Sequence, residues 1–326
     1  MVIHHLLILK KQKMKNQYKT LALTFLVLSS LVSKAQQQPN FLFFEQNMNL
    51  FNPAYTGSHG SFAAMHYRSA WSGTDGAPRA ASFLYTTSEK NNAAWGFSFL
   101  SDRVNIENNG LATIDYSYKL AFGGNTNLYL GIKAGVSFNN FDLDRLNRIT
   151  QENNPNLSNL QNYMNPLVGI GALLKSNNYF LGLSSPNILH AKRFKEDAGV
   201  VATAMYNSSV YGTVGFYVKL NSFLRLSPSM VYRMVSDAPN QLTAITKIEL
   251  KEKLSLGVGL SNNDYISTMF QVKLPKMDLG FGYEIGQNTS STAIRANTAE
   301  IMLVYRFDGK KPSVESSKGD EKLSEN

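Results

Sequence analysis

Acid–base chemistry in this chain would have to come from few residues. Beyond residue 35 the only histidines are His59, His66 and His190. A histidine base needs a serine within hydrogen-bond reach and a third group to orient its ring. No nucleophile motif surrounds any serine. His66 shares a strand face with Arg68 and reads as a polar side chain on the wet side of a sheet. Asp142 and Asp144, in FDLDRL, could offer carboxylates to calcium. The glycine and the distant glutamate of a calcium loop are missing, so a solvated loop pair is the simpler reading. The chain has no cysteine, which excludes disulfides, thiolate metal sites and the acceptor of a bacterial lipid anchor. Zinc spacings and phosphate cradles are also absent. No catalytic, cofactor or metal residue is expected.

Two other stretches carry conformational information. Asn52-Pro53-Ala54-Tyr55-Thr56-Gly57 combines a turn-favouring Asn-Pro, a missing backbone donor and a permissive glycine. It either folds into a compact plug, with Asn52, Pro53, Ala54, Tyr55 and Gly57 as its candidate residues, or makes a turn into the first strand. Trp71 to Pro78 contains an Asp-Gly turn. It is either a long hairpin connection or a docking loop, with Arg68, Trp71, Asp75, Gly76 and Pro78 as candidate partner contacts.

The elements around these stretches alternate with period two. That spacing puts one set of side chains on each face of a strand. In 128–138, Leu128, Leu130, Ile132, Ala134, Val136 and Phe138 oppose Tyr129, Gly131, Lys133, Gly135 and Ser137. Leu130 is thus expected to face lipid, and Gly131 the opposite side, where a serine should be accommodated. Asp115, Lys119, Arg225, Arg233, Lys247, Glu249, Asp278, Glu284 and Arg306 fall on polar faces like that of Lys133.

Fourteen strands are predicted between residues 61 and 307. Their connections alternate in length. Residues 88–92, 122–125, 177, 220–222, 251–252 and 275 are short. Residues 70–78, 102–109, 139–165, 186–206, 236–240 and 288–298 are mostly longer, and 262–263 is a short exception. Short periplasmic turns and long outer loops mark an outer-membrane barrel. The fold class is therefore all-β: an antiparallel outer-membrane β-barrel of about fourteen strands with an N-terminal plug-like segment. Residues 36–60 form that segment, 61–307 the barrel, and the polar stretch 308–326 a disordered periplasmic tail. Lipid supplies no hydrogen bonds, so a spanning sheet must close on itself.

Composition agrees. Charged residues make up 17% of the chain, against roughly 25% in soluble domains. The net charge of +9 includes six lysines before residue 36 with no acid among them, which leaves +3 for the remainder. A nucleic-acid surface is therefore not supported. Leu21 to Val32 is an apolar core after Lys15 and Lys19, and Ser33-Lys34-Ala35 presents small residues before a cut near Ala35-Gln36. Residues 1–35 are read as a cleavable signal peptide with its true start at Met14.

Several segments, taken in order, resemble the PorP/SprF family of type IX secretion membrane proteins from Bacteroidetes. They are Phe41 to Gly57, Tyr67-Arg68, Trp71, Asp75 to Pro78, Phe180 to Asn187, Leu226 to Ser229, Ala238 to Leu242, and Glu300 to Leu303 with Tyr305-Arg306-Phe307. Ser69-Ala70 and Ala299 depart from the family's pattern. The resemblance implies a non-enzymatic outer-membrane component that supports export or surface attachment of a secreted cargo, such as a gliding adhesin. It implies contacts with outer-membrane lipid and with periplasmic and outer-membrane secretion components. The alternative is an outer-membrane channel or fatty-acid-type transporter with an N-terminal hatch. An apolar inner pocket would favour transport and a polar, plugged lumen the scaffold.

Overall fold

The computed structural model describes residues 41–71, 75–145, 163–189, 191–197, 200–206, 208–235, 239–262, 265–286 and 297–307. The expected signal peptide, residues 36–40, His190 and the tail 308–326 lie outside the described residues.

The first half of the sheet comprises β1 (Phe62–Ala70), β2 (Arg79–Thr86), β3 (Ala93–Val104), β4 (Glu107–Gly123), β5 (Thr126–Phe141), β6 (Tyr163–Lys175) and β7 (Tyr179–Ser185). A separate hairpin follows, β8 (Ala191–Asp197) with β9 (Val200–Tyr206). The second half comprises β10 (Ser209–Phe216), its short continuation β11 (Val218–Lys219), β12 (Leu224–Val235), β13 (Gln241–Leu250), β14 (Leu254–Ser261), β15 (Tyr265–Lys273), β16 (Met277–Gly286) and β17 (Asn297–Arg306). Neighbours pair antiparallel. β7 pairs with β10, β10 with β12, and β17 returns to β1 from Phe62↔Arg306 to Ala70↔Thr298. Counting β10 and β11 as one stave, the cylinder has fourteen staves and no free edge. Closure satisfies every ladder in a medium that offers no other partner.

Burial is inverted relative to a soluble sandwich. On β4, Ile114 is 58% exposed while its neighbour Asp115 is fully buried. On β5, Leu130 and Ile132 face outward and Lys133 is buried. On β14 the outward row is Leu256, Val258 and Leu260. This apolar belt meets hydrocarbon, and aromatic residues mark its short-turn end. Exposed Tyr85 packs edge-on against Phe307 at 5.6 Å, and exposed Trp95 against Tyr116 at 4.8 Å. Such girdles suit the amphipathic interface.

Two of the expected outer loops differ. Residues 102–109 are not an irregular connection: β3 runs to Val104, β4 starts at Glu107, and Asn105 turns the chain with φ 56°. Asparagine tolerates that left-handed conformation. Within 186–206 the chain forms the β8–β9 hairpin rather than an open loop.

Residues 41–57 run inside the cylinder through three short 3₁₀ turns, Phe44–Gln46, Met48–Leu50 and Pro53–Tyr55. They touch β2, β6, β10, β13 and β17, strands spaced around the whole wall.

Candidate functional site

The wall opposite Asn52-Pro53-Ala54 is built of glycines. A Cβ at Gly131 would lie 2.3 Å from the Ala54 nitrogen, and one at Gly171 would lie 2.0 Å from the Asn52 Oδ1. Bare backbone there lets the kinked segment lie against the sheet. The Asn52 side chain then works in two directions. Its Oδ1 accepts from the Ala54 N–H at 2.9 Å, capping the turn, and its Nδ2 donates to the Ala172 carbonyl at 3.2 Å. Pro53 opens the following 3₁₀ turn, where its absent N–H costs nothing. The expectation that Gly131 would accommodate a serine is overturned by this close backbone approach.

Further contacts hold the segment from other sides. The Tyr55 hydroxyl and Thr213 Oγ1 are 3.0 Å apart. Burial lifts that phenol well above its usual range, so it stays protonated. Phe51 stacks on Tyr211 at 4.8 Å, and Ser184 donates to the Phe51 carbonyl at 2.9 Å. The Gly57 N–H donates to Thr86 Oγ1 at 2.7 Å. Lys247 pairs with Glu45 at 2.8 Å. At the start of the segment the Glu300 carboxylate accepts from the N–H groups of Leu42 and Phe43 at 2.8 and 3.2 Å.

Glu300 belongs to a buried ionic group on the wall. His66 Nδ1 lies 3.5 Å from it and Arg68 3.7 Å, while Arg68 also reaches Glu284 at 2.6 Å. A second buried group sits on β4 and β5. Lys133 pairs with Asp115 and donates to Thr113 at 3.1 Å, and Ser98 donates to Asp115 at 2.9 Å. Glu300, Lys133 and Asp115 persist away from water because each finds an opposite charge and a hydrogen bond, whereas neither ring nitrogen of His66 has a hydrogen-bond partner.

Of the candidate partner contacts, Arg68 points into the lumen, in the ionic group just described. Trp71 is half-buried with φ 50°, and its N–H donates to the Asn297 carbonyl at 2.7 Å. Asp75 is exposed and pairs with Arg145 at 2.8 Å. The Gly76 carbonyl accepts from Asn105 N–H at 3.1 Å, and the Pro78 carbonyl from Ala70 N–H at 2.9 Å. The β1–β2, β3–β4 and β5–β6 connections thereby form one collar at the long-loop end. Asp142 accepts from the Arg145 N–H at 2.9 Å and so caps a short helical turn. Glu300 and the Asp115–Lys133 pair were not singled out as site residues from the sequence. The signal for them was a charge on the polar face of a strand too apolar elsewhere to be soluble.

The opposite end holds a cavity of about 980 Å³. It lies at the short-turn end, between residues 57–62 and the strand ends near Glu89, Asn125, Asn177 and Arg306. Lys119 pairs with Glu89 there, Lys273 with Glu249 at 3.0 Å, Arg225 with Glu252 at 3.3 Å, and Arg306 with Asp278. Lys175 donates instead to the Ser58 carbonyl. Partial burial holds the His59 imidazole well below its usual range, reinforced by the positive charges of Lys175, Arg306 and Lys247.

The family model described as type IX secretion system membrane protein PorP/SprF matches residues 33–305. No curated protein matches the chain. Among solved structures, the CymD monoaromatic hydrocarbon channel is similar at 10% identity and TM-score 0.50, over 82% of this chain and 94% of that one. The Pseudomonas putida toluene transporter TodX is similar at 10% identity and TM-score 0.43, over 79% and 92%. The Acinetobacter baumannii outer membrane protein Omp33 is similar at 10% identity and TM-score 0.43, over 77% and 100%. At such identity the CymD likeness speaks for the barrel fold alone.

Proposed function

Because the chain belongs to the PorP/SprF family of type IX secretion system membrane proteins, we propose that it supports export or surface attachment of a cargo protein. A gliding adhesin is the expected kind of cargo. The role is non-enzymatic: the barrel holds partners in place, with the cargo on the outer side and secretion components on the periplasmic side. Residues 41–57, with Asn52, Pro53, Ala54, Tyr55 and Gly57 at their centre, act as a fixed plug. The outer collar carrying Trp71, Asp75, Gly76 and Pro78 offers a contact surface, since loops on a rigid scaffold are suited to binding. Arg68 serves from inside by holding the wall beneath that collar. The signal peptide delivers the chain to the outer membrane.

The observation that carries this reading is the filling of the lumen. Fourteen strands enclose more space than their own side chains fill, and here residues 41–57 occupy it through contacts on every side. Buried Asp115, Lys133 and Glu300 line the same space. A transporter with a hatch would want an apolar passage instead. Deleting the gene should remove one or a few large proteins from the cell surface or medium. An unchanged secretome would count against the role, and a loss of uptake of an apolar solute would favour the transporter.

A further inference from the structure

We propose that the cavity at the short-turn end is a receptor site for an acidic segment of polypeptide entering from the periplasm, with Lys175 as its anchoring cation. The proposal rests on the secretion reading only for its choice of a polypeptide as ligand.

The charge pattern carries it. Six Lys or Arg side chains line the cavity against three Glu. Each of those glutamates is already engaged: Glu89 by Lys119, Glu45 by Lys247 and Glu249 by Lys273. Arg306 and Arg225 pair with acids outside the lining, Asp278 beneath it and Glu252 at the rim. That leaves Lys175, which makes no ion pair among the described residues and has only the Ser58 carbonyl as acceptor. Burial lowers its ammonium to about 8 against the opposing pull of Glu89 and Glu45, so it still carries its charge at neutral pH. A carbonyl uses one of three ammonium donors and none of its charge. Burial first, and then the positive charges of Lys175, Arg306 and Lys247, lower the neighbouring His59 imidazole. An unmatched cation in a partly enclosed site favours an anion, and low-dielectric walls strengthen that preference.

The rest of the lining suits a chain rather than a small solute. At about 980 Å³ the space reaches the upper end of small-ligand pockets, roughly 300–1,000 Å³. Asn125, Asn127 and Asn177 offer both donors and acceptors, which match peptide groups, and Tyr129 and Tyr217 offer ring surface. The short turns of the barrel lie at this mouth, so it opens to the periplasm, where polypeptides awaiting export arrive.

The test uses the full chain folded in detergent micelles and a fluorescein-labelled peptide of Asp, Glu, Ser and Gly, read by anisotropy. Its counterpart carries Asn and Gln in place of the acids. The acidic peptide should bind saturably, and its neutral counterpart about tenfold more weakly, the loss of a charge-assisted hydrogen bond or more. Lys175→Gln should weaken the acidic peptide by a similar factor, and Lys175→Arg should restore it, with heat-modified gel mobility confirming a folded barrel in both. Equal binding of the two peptides, or wild-type affinity in a folded Lys175→Gln barrel, overturns the proposal. Saturable binding of free citrate without binding of the peptide overturns the polypeptide ligand. Failure here, in a strain whose deletion still loses surface proteins, sinks this site and leaves the secretion role standing. An unchanged secretome with intact peptide binding does the reverse.

Discussion

Glu300 and Leu42 are 258 positions apart in the chain, yet the Glu300 carboxylate accepts the Leu42 N–H at 2.8 Å. The same carboxylate takes the Phe43 N–H at 3.2 Å, with His66 and Arg68 beside it. Glu300 stands on β17, the strand that closes the cylinder by pairing with β1. One acidic side chain therefore ties the inner segment to the seam of the barrel. Its charge matters, because an ionised acceptor holds backbone donors more tightly than a neutral one.

Glu300→Ala should loosen residues 41–57 without opening the barrel. Two buried N–H groups lose a charged acceptor, each bond being worth about 1.5–3 kcal/mol. Glu300→Gln keeps an acceptor and should cost less. Chymotrypsin acting on the folded protein in micelles should cut within 41–57 faster in the alanine variant, while heat-modified mobility is retained. Unchanged protection would mean that the carboxylate does not hold the segment.

Leu130 and Gly131 are adjacent and should fail in different ways. Leu130 is 46% exposed on the outer face. An arginine there should cost about 2–4 kcal/mol and impair insertion. Gly131→Ser meets Pro53 and Ala54 backbone. It should leave insertion intact and expose 41–57 to protease. If both variants insert normally and both protect the segment, the facing of β5 is wrong.

The strands were legible because lipid enforces a strict contrast between faces. Alternation over 128–138 located β5 and assigned its sides, and 241–250 matched β13 to the residue. That contrast ends where strands leave the membrane. Residues 107–109 (ENN) and Asn139-Asn140 are polar on both faces, so the outer reaches of β4 and β5 read as loop while they pair as strand. The inner segment was legible as turn-forming but its path was not. Its partners, Ala172, Thr213 and Glu300, are more than a hundred positions away. The wall glycines showed as small polar-face residues, but their purpose depends on which backbone lies against them.

Lys133 and Asp115 form an ion pair in which neither side chain is exposed. Removing one partner strands the other charge, and Lys133→Met should destabilise the barrel by about 3–5 kcal/mol. Replacing both, with Lys133→Met and Asp115→Leu, should recover most of that loss despite the mismatched hydroxyls of Ser98 and Thr113. Urea unfolding in detergent, as a double-mutant cycle, measures the coupling. A double variant as unstable as the single would show that the hydrogen-bonding neighbours, rather than the charges, hold this part of the wall.

His59 gives the inner segment a pH dependence whose sign follows from its surroundings. Seated, its imidazole lies well below the ordinary 6.5, through burial first and then through Lys175, Arg306 and Lys247. Released, it titrates near 6.5. Between those two values the released state binds a proton that the seated state does not, so seating strengthens as pH rises. The contribution is complete above the released value and is lost as pH falls from there through the seated one. Protease protection of 41–57 should therefore weaken from pH 7.5 to pH 5, after correction for the enzyme's own pH profile. In His59→Asn, which cannot take up that proton, the slope should flatten. The same slope in both proteins would assign the effect to another titrating group in the lumen.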